Sequence, residues 1–133
     1  MDKLIIKKDV YIEMIEHGRK TLPNEACGLL SGNDQFIYSI WPLHNEAKSR
    51  IKFFVSEKVV RKTLLKIEQL NERVLAIYHT HPLSKPIPSK YDIEYHADEA
   101  VKMVIVSYRT KLPVAKCYRI RGLVYEECLF LID

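Results

Sequence analysis

Cysteine, net charge and long apolar runs are all in short supply in this chain, and each shortage excludes something. The three cysteines, at 27, 117 and 128, form an odd set without CxxC spacing. That argues against a disulfide framework and against a structural zinc ribbon, so any metal has to be held by histidines and carboxylates. Lysine and arginine outnumber acids by only 21 to 17, and the charges are scattered. The sequence has neither the basic stripe nor the polybasic tail that nucleic acid or a membrane surface needs, and neither is expected as a partner. MDKLIIKKDV offers three apolar residues in a row before charge returns, and no later run approaches membrane-spanning length. No secretory signal or spanning helix is expected, and the location expected is cytoplasmic. Repeats, low-complexity tracts and interdomain linkers are also missing; 133 residues, 47% of them hydrophobic, suit one domain over residues 1–133.

The patterning that is present suggests strands alternating with two substantial helices. KLIIKK reads as a strand, and DVYIEMIEHGRK as a helix capped by Asp9 and ended by Gly18, with Val10, Tyr11, Met14 and Ile15 at helical spacing. Gly32, Asn33 and Asp34 turn EACGLLSG into QFIYSIWPL, and a loop runs from His44 to Arg50. IKFFV reads as a strand, and Ser56 as the cap of a helix that buries Val60, Leu64 and Ile67. RVLAIY is apolar enough for a strand covered on both sides. PLSKPIPS, with three prolines, is a stiff loop before a short helix begun by Ser89. VKMVIVSY, PVAKCYRI and VYEECLFLI are strands, the last two joined at Arg121 and Gly122. The fold class is α/β, one mixed sheet flanked by helices.

Two of only five histidines, His79 and His81, stand at the carboxyl end of the most apolar strand. Side chains two apart on a strand point the same way, so both imidazoles face one spot. A bare HxH is read equally well as a polar pair at a strand exit. Ser89 and Asp92 shift the balance: SKYD resembles a helix cap, and an acid on that first turn, brought back by the proline loop, presents a carboxylate to the histidines. Two imidazoles and a carboxylate leave a fourth position open, as catalytic zinc sites do. His96, four residues after Asp92, competes for the third place, although an ordinary, partly exposed helix position is the simpler reading of it. Glu25, beside Pro23 and Asn24 at a strand start, taken alone reads as a solvated acid. Cys27 shares its face by strand alternation, and a buried core thiol is the simpler role for it. Cys117 and Cys128 fall on one face of the last hairpin; His17 and His44 have no evident partner.

HTHPLSKPIPSKYD resembles the JAMM (MPN+) signature, in which His, Ser or Thr, His and Pro are followed by Ser and Asp at fixed spacing. PNEACGLLSG is similar to the strand that carries this family's catalytic glutamate. The resemblance implies the MPN/JAMM fold, which is cytidine-deaminase-like, and one Zn²⁺ per chain held by His79, His81 and Asp92. It further implies Glu25 as acid and base, and Ser89 as a donor to the oxyanion. Larger members cleave isopeptide bonds to ubiquitin and carry insertions for which this chain has little room. Short prokaryotic stand-alone members resemble it more closely and are associated with ubiquitin-like sulfur-carrier proteins, cut after their terminal Gly-Gly. The implied activity is peptide or isopeptide hydrolysis on such a tail, bound by adding a strand beside the active-site sheet. A homodimer stays open. The alternatives are a non-catalytic MPN scaffold and a nucleoside deaminase; the second lacks its H-x-E and P-C-x-x-C pattern here.

Overall fold

The computed structural model describes residues 2–133. In chain order the elements are β1 (Lys3–Ile6), α1 (Lys8–Thr21), β2 (Cys27–Asn33), β3 (Phe36–Leu43), α2 (Glu57–Gln69), β4 (Arg73–His81), α3 (Lys90–Glu94), β5 (Lys102–Ser107), β6 (Val114–Arg121) and β7 (Val124–Ile132). The sheet is mixed, as expected: β1 runs parallel to both β3 and β7, β4 runs parallel to β5, and the other pairs are antiparallel. Its order, β1-β3-β2-β4-β5-β6-β7, closes on itself as a barrel. Closure was not legible in the local patterns, because it depends on β7 returning to β1 across the whole chain.

One face of the closed sheet is lined by Leu4, Ile6, Leu30, Ile37, Tyr78 and Val104, and α1 packs against it through Val10 and Met14. Burying a side chain the size of Met14 contributes about 1.5–3 kcal/mol, several times what a good helix residue adds by propensity. Packing therefore holds α1, and its ends confirm this. The helix starts one residue before the expected Asp9 cap, and its N-cap residue, Lys7, makes no side-chain capping bond. Gly18 does not end it either, since the helix continues to Thr21. That glycine answers a packing demand, because a β-carbon there would lie 2.2 Å from the Tyr108 hydroxyl and 2.8 Å from Thr80 Cγ2.

The expected strand IKFFV does not form; residues 52–56 are irregular. This segment finds its partners in the preceding loop instead, through Asn45 and Glu46. Ser56 stands at the N-cap of α2 without a capping bond. The buried side of α2 is narrower than expected: Thr63 and Ile67 are buried, whereas Leu64 is exposed. At the far end of the chain, Arg121 and Val124 flank a two-residue turn in which Gly122 has φ +58°, as the first central position of a type II′ hairpin requires.

Candidate metal centre and its surroundings

The site begins with the alternation of β4. Ala76 and Tyr78 face the α1 core, so Ile77, His79 and His81 face the opposite way. β4 is paired on both sides, Cys27 lying opposite His79 on β2 and Ile105 beside it on β5. The strand ends at His81, immediately before Pro82. Both histidines are buried, and their Nε2 atoms lie 3.2 Å apart. Asp92, in the first turn of α3, completes the group: its Oδ2 is 3.0 Å from each Nε2. Neighbouring ligands of a tetrahedral ion with bonds of about 2.0–2.1 Å stand about 3.3 Å apart. The three atoms thus already form the triangular base of such a site, and they fit a single metal ion.

Their electrostatics agree. Burial lowers the pKa of His79, favouring the neutral imidazole that a metal needs. Burial alone would raise Asp92, but hydrogen bonding to the two histidines outweighs it and holds the carboxyl below the ordinary range. His81 donates from Nδ1 to the Lys85 carbonyl at 2.7 Å, which in the neutral ring leaves Nε2 bare and aimed at the centre.

The proline loop is held by three successive carbonyls. Ser107 donates to Ser84 O (2.6 Å), His81 to Lys85 O, and Tyr118 to Pro86 O (2.5 Å). At its end Ser89 makes a capping box with Asp92: its Oγ accepts from the Asp92 N–H (3.0 Å), and its own N–H donates to Asp92 Oδ2 (2.9 Å). The helix cap is thereby also the device that orients the carboxylate.

Glu25 lies just before β2 and is almost completely buried, at 2% exposure, with no hydrogen-bond partner for Oε1. Burial pushes its pKa from 4.5 to about 9, and the charge of Asp92 adds to the rise, which places Glu25 within electrostatic reach of the centre. Its backbone is fastened on three sides. The Glu25 N–H donates to Ser49 O (2.7 Å), Asn45 Nδ2 donates to Glu25 O (2.9 Å), and the next residue, Ala26, donates to Thr80 Oγ1 (2.8 Å). Thr80, the middle residue of HTH, ties the glutamate segment to the histidine strand.

Beside the centre lies an apolar cavity of about 300 Å³, bounded by Leu29, Phe53, Val60, Ile77, Tyr95 and Met103 and reaching His79 and Asp92. The Phe53 ring stacks on His79 with centroids 5.1 Å apart. Cys27 and His96 line the same cavity but stand outside the ligand cluster. Burial pushes the Cys27 thiol up to about 12, which makes it an inert packing group. His96 Nε2 donates to Val101 O at 2.7 Å and is occupied there. Of the remaining histidines, His17 Nδ1 lies 2.7 Å from the Tyr78 hydroxyl, and His44 is exposed. Cys117 and Cys128 face each other across β6 and β7, in the α1 core.

The structure brings together His79, His81 and Asp92, with Ser89 bonded to Asp92 and Glu25 close by. Sequence reasoning passed over Asn45, Phe53, Thr80, Ser107 and Tyr118. Only Thr80 carried a signal, its place between the two histidines. The others act from segments far away in the chain, and their residue types are unremarkable.

With this geometry in view, the likenesses to known proteins are specific. The family described as prokaryotic homologs of the JAB domain matches residues 7–121. The CysO-cysteine peptidase of Mycobacterium tuberculosis (strain ATCC 25618 / H37Rv) is 29% identical over 135 residues, covering 98% of this chain and 92% of the relative. The desampylase of Pyrococcus furiosus is 33% identical over 70 residues, 53% of this chain and 50% of its own. The solution structure of protein DSY2949 from Desulfitobacterium hafniense superposes with a TM-score of 0.89 at 27% identity, covering 98% and 92% of the two chains. Since the family match spans both β2 and the whole HTH-to-Asp92 segment, the chain belongs to the prokaryotic homologs of the JAB domain.

Proposed function

We propose that residues 1–133 form one zinc-dependent hydrolase domain that cleaves the peptide or isopeptide bond following the C-terminal Gly-Gly of a ubiquitin-like or sulfur-carrier protein. The observation that carries this reading is the triangle of His79, His81 and Asp92 atoms, 3.0–3.2 Å on an edge, beside the buried and unpartnered carboxyl of Glu25. A scaffold with no catalysis has no use for that carboxyl, whose burial is costly without a proton to carry. Relatives named as a CysO-cysteine peptidase and a desampylase support the substrate class.

His79, His81 and Asp92 would hold the ion, and a zinc ion so held supplies a Lewis acid that acidifies water and polarises a carbonyl. Beside that cation, whose charge opposes the burial that raises its pKa, Glu25 as a carboxylate would take a proton from the attacking water and deliver it to the leaving amine. Ser89 keeps Asp92 oriented through its cap, and its hydroxyl hydrogen is free to donate where negative charge develops. The barrel closes through short pairings, β1 meeting β3 only at Phe36 and Ile37, so the side of β3 away from β2 is left without a partner strand over residues 38–43 and is open to a tail. Unpaired backbone also lies next to the cavity. Phe54 turns its N–H to Asn45 and its C=O to Glu46, and no bond is made by the backbone groups of Phe53 and Val55 among the described residues. Strand-like pairing of the tail belongs there. A cytoplasmic setting suits the three unpaired thiols, since Cys117 and Cys128 lie directly opposite each other without a bond.

The test is hydrolysis of a Gly-Gly-linked carrier conjugate by zinc-loaded protein, followed by mass spectrometry, with Glu25→Gln protein used to capture the substrate. Release of the intact carrier ending in Gly-Gly is expected. Absence of cleavage across peptide and isopeptide conjugates, with zinc bound, would return the chain to the scaffold reading.

A further inference from the structure

The loop between β3 and α2 contains one buried polar residue whose hydrogen bonds are complete. Asn45 is 5% exposed. Its Nδ2 donates to Glu25 O and to Lys52 O, both at 2.9 Å, and its Oδ1 accepts from the N–H groups of Ala47 and Phe54, both at 3.0 Å. Two donors and two lone pairs are all that a side-chain amide has. Around it the Glu25 N–H donates to Ser49 O, and Glu46 N–H to Phe54 O. The loop is therefore wound on this amide, and the amide joins two things that do not otherwise meet. One is the backbone of the glutamate. The other is the 52–54 segment, whose Phe53 ring lies on His79 and lines the cavity.

We propose that Asn45 is a positioning residue: its amide nitrogen ties the Glu25 backbone to Lys52 O and so fixes Glu25 against the metal centre, and its amide oxygen, by holding the Phe54 N–H, shapes the Phe53–Phe54 wall that receives substrate. The proposal rests on Glu25 being the base. No other described side chain bonds to the Glu25 backbone, and the carboxyl itself has an unpartnered oxygen, so its place depends on the main chain that Asn45 and Ser49 hold. A displacement of the order of 1 Å is enough to slow a proton transfer by roughly a hundredfold.

Asn45→Asp keeps an acceptor for Ala47 and Phe54 and removes both donors, whereas Asn45→Ala removes everything. kcat, KM, zinc content and amide exchange would be measured on a fluorogenic peptide carrying a Gly-Gly tail. Asn45→Asp is expected to keep its zinc and the protection of the Phe54 amide, to lose roughly ten- to a hundredfold in kcat, and to hold KM within about twofold. Asn45→Ala should lose the Phe54 protection as well and raise KM. A kcat within about twofold of wild type in Asn45→Asp overturns the proposal, as does a kcat loss matched by equal loss of zinc. If Asn45→Asp does not fold, Asn45→Ser, which retains one donor, has to keep more of kcat than Asn45→Ala; equal rates overturn it. Glu25→Gln measured alongside separates the two ideas. Full turnover in that variant removes the base assignment itself, while its inactivity beside a normal Asn45→Asp removes only the role of Asn45.

Discussion

Replacing Ser89 separates two functions that the structure places on one side chain. The Oγ accepts from the Asp92 N–H at 3.0 Å, while the hydroxyl hydrogen has no protein acceptor among the described residues. Removing the acceptor in Ser89→Ala should cost about 0.5–2 kcal/mol, the range for a lost N-cap. For a chain of this length that lowers the melting temperature by roughly 2–8 °C. The cap sits on a helix of five residues that carries Asp92 at its third position, so zinc content has to be measured together with the rate. If the hydroxyl donates to the oxyanion, Ser89→Ala also loses roughly two to three orders of magnitude in kcat with zinc retained. Ser89→Asp is the decisive variant. It caps as well as serine, so stability returns, but it offers no proton and repels the developing charge, so the rate does not. Thermal melts, metal analysis and single-turnover hydrolysis at a temperature where every variant is folded provide the readout. Near-normal kcat in Ser89→Asp would refute the donor role and leave Ser89 as the group that orients Asp92.

Other outcomes follow from the same geometry. Asp92→Ala should lose most of its zinc because it removes one of three converging ligand atoms. His96→Ala should retain zinc, because that imidazole is already bonded to Val101 O; metal analysis after dialysis distinguishes them, and equal loss would make His96 a ligand. In metal-free protein Glu25 has a folded pKa of about 9 against 4.5 when unfolded, so the unfolded state holds fewer protons between those values. Stability then falls as pH rises through that window, by at most about 1.4 kcal/mol per unit, and Glu25→Gln should remove this fall. Melts of the two metal-free proteins at pH 5 and pH 8 check it, and parallel pH dependences would contradict it. Gly18→Ala should destabilise by about 1–3 kcal/mol through overpacking against Tyr108 and Thr80. Gly18→Ala combined with Tyr108→Phe should recover only part of the loss, because the Thr80 contact persists; denaturant melts with no loss in the single variant would show that Tyr108 simply moves aside.

Much of the scaffold could be read locally. The strand ending at His81, the cap at Ser89 and the turn at Gly122 each depend on a few adjacent residues, through side-chain alternation, a carboxylate and hydroxyl three apart, and the one residue type that accepts positive φ freely. Where local reading failed, distant contacts had decided. IKFFV has strand composition, but Asn45 took the Phe54 amide and the Lys52 carbonyl, and Glu46 the Phe54 carbonyl, so the segment was wound into the loop. Gly18 has the composition of a helix end, but Tyr108, ninety residues later in the chain, is what requires it.

The same division runs through the site. The sequence alone pointed to the candidate donor set, because HTHP followed by Ser89 and Asp92 places two imidazoles on one strand face and a carboxylate on the next helix start, all within fourteen residues. It left His96, four residues after Asp92, as a competitor, and only the tertiary structure set that imidazole aside by bonding it to Val101 O. Only the tertiary structure decided that Glu25 is buried beside that set, through bonds to Ser49, Asn45 and the Thr80-held Ala26 that link three separate segments. Only the tertiary structure, too, anchored the proline loop on Ser107 and Tyr118 and closed the sheet by returning β7 to β1. The physical reason is range. Periodicity and capping act over one or two turns of chain, whereas the burial of a carboxyl depends on which distant surfaces exclude water from it.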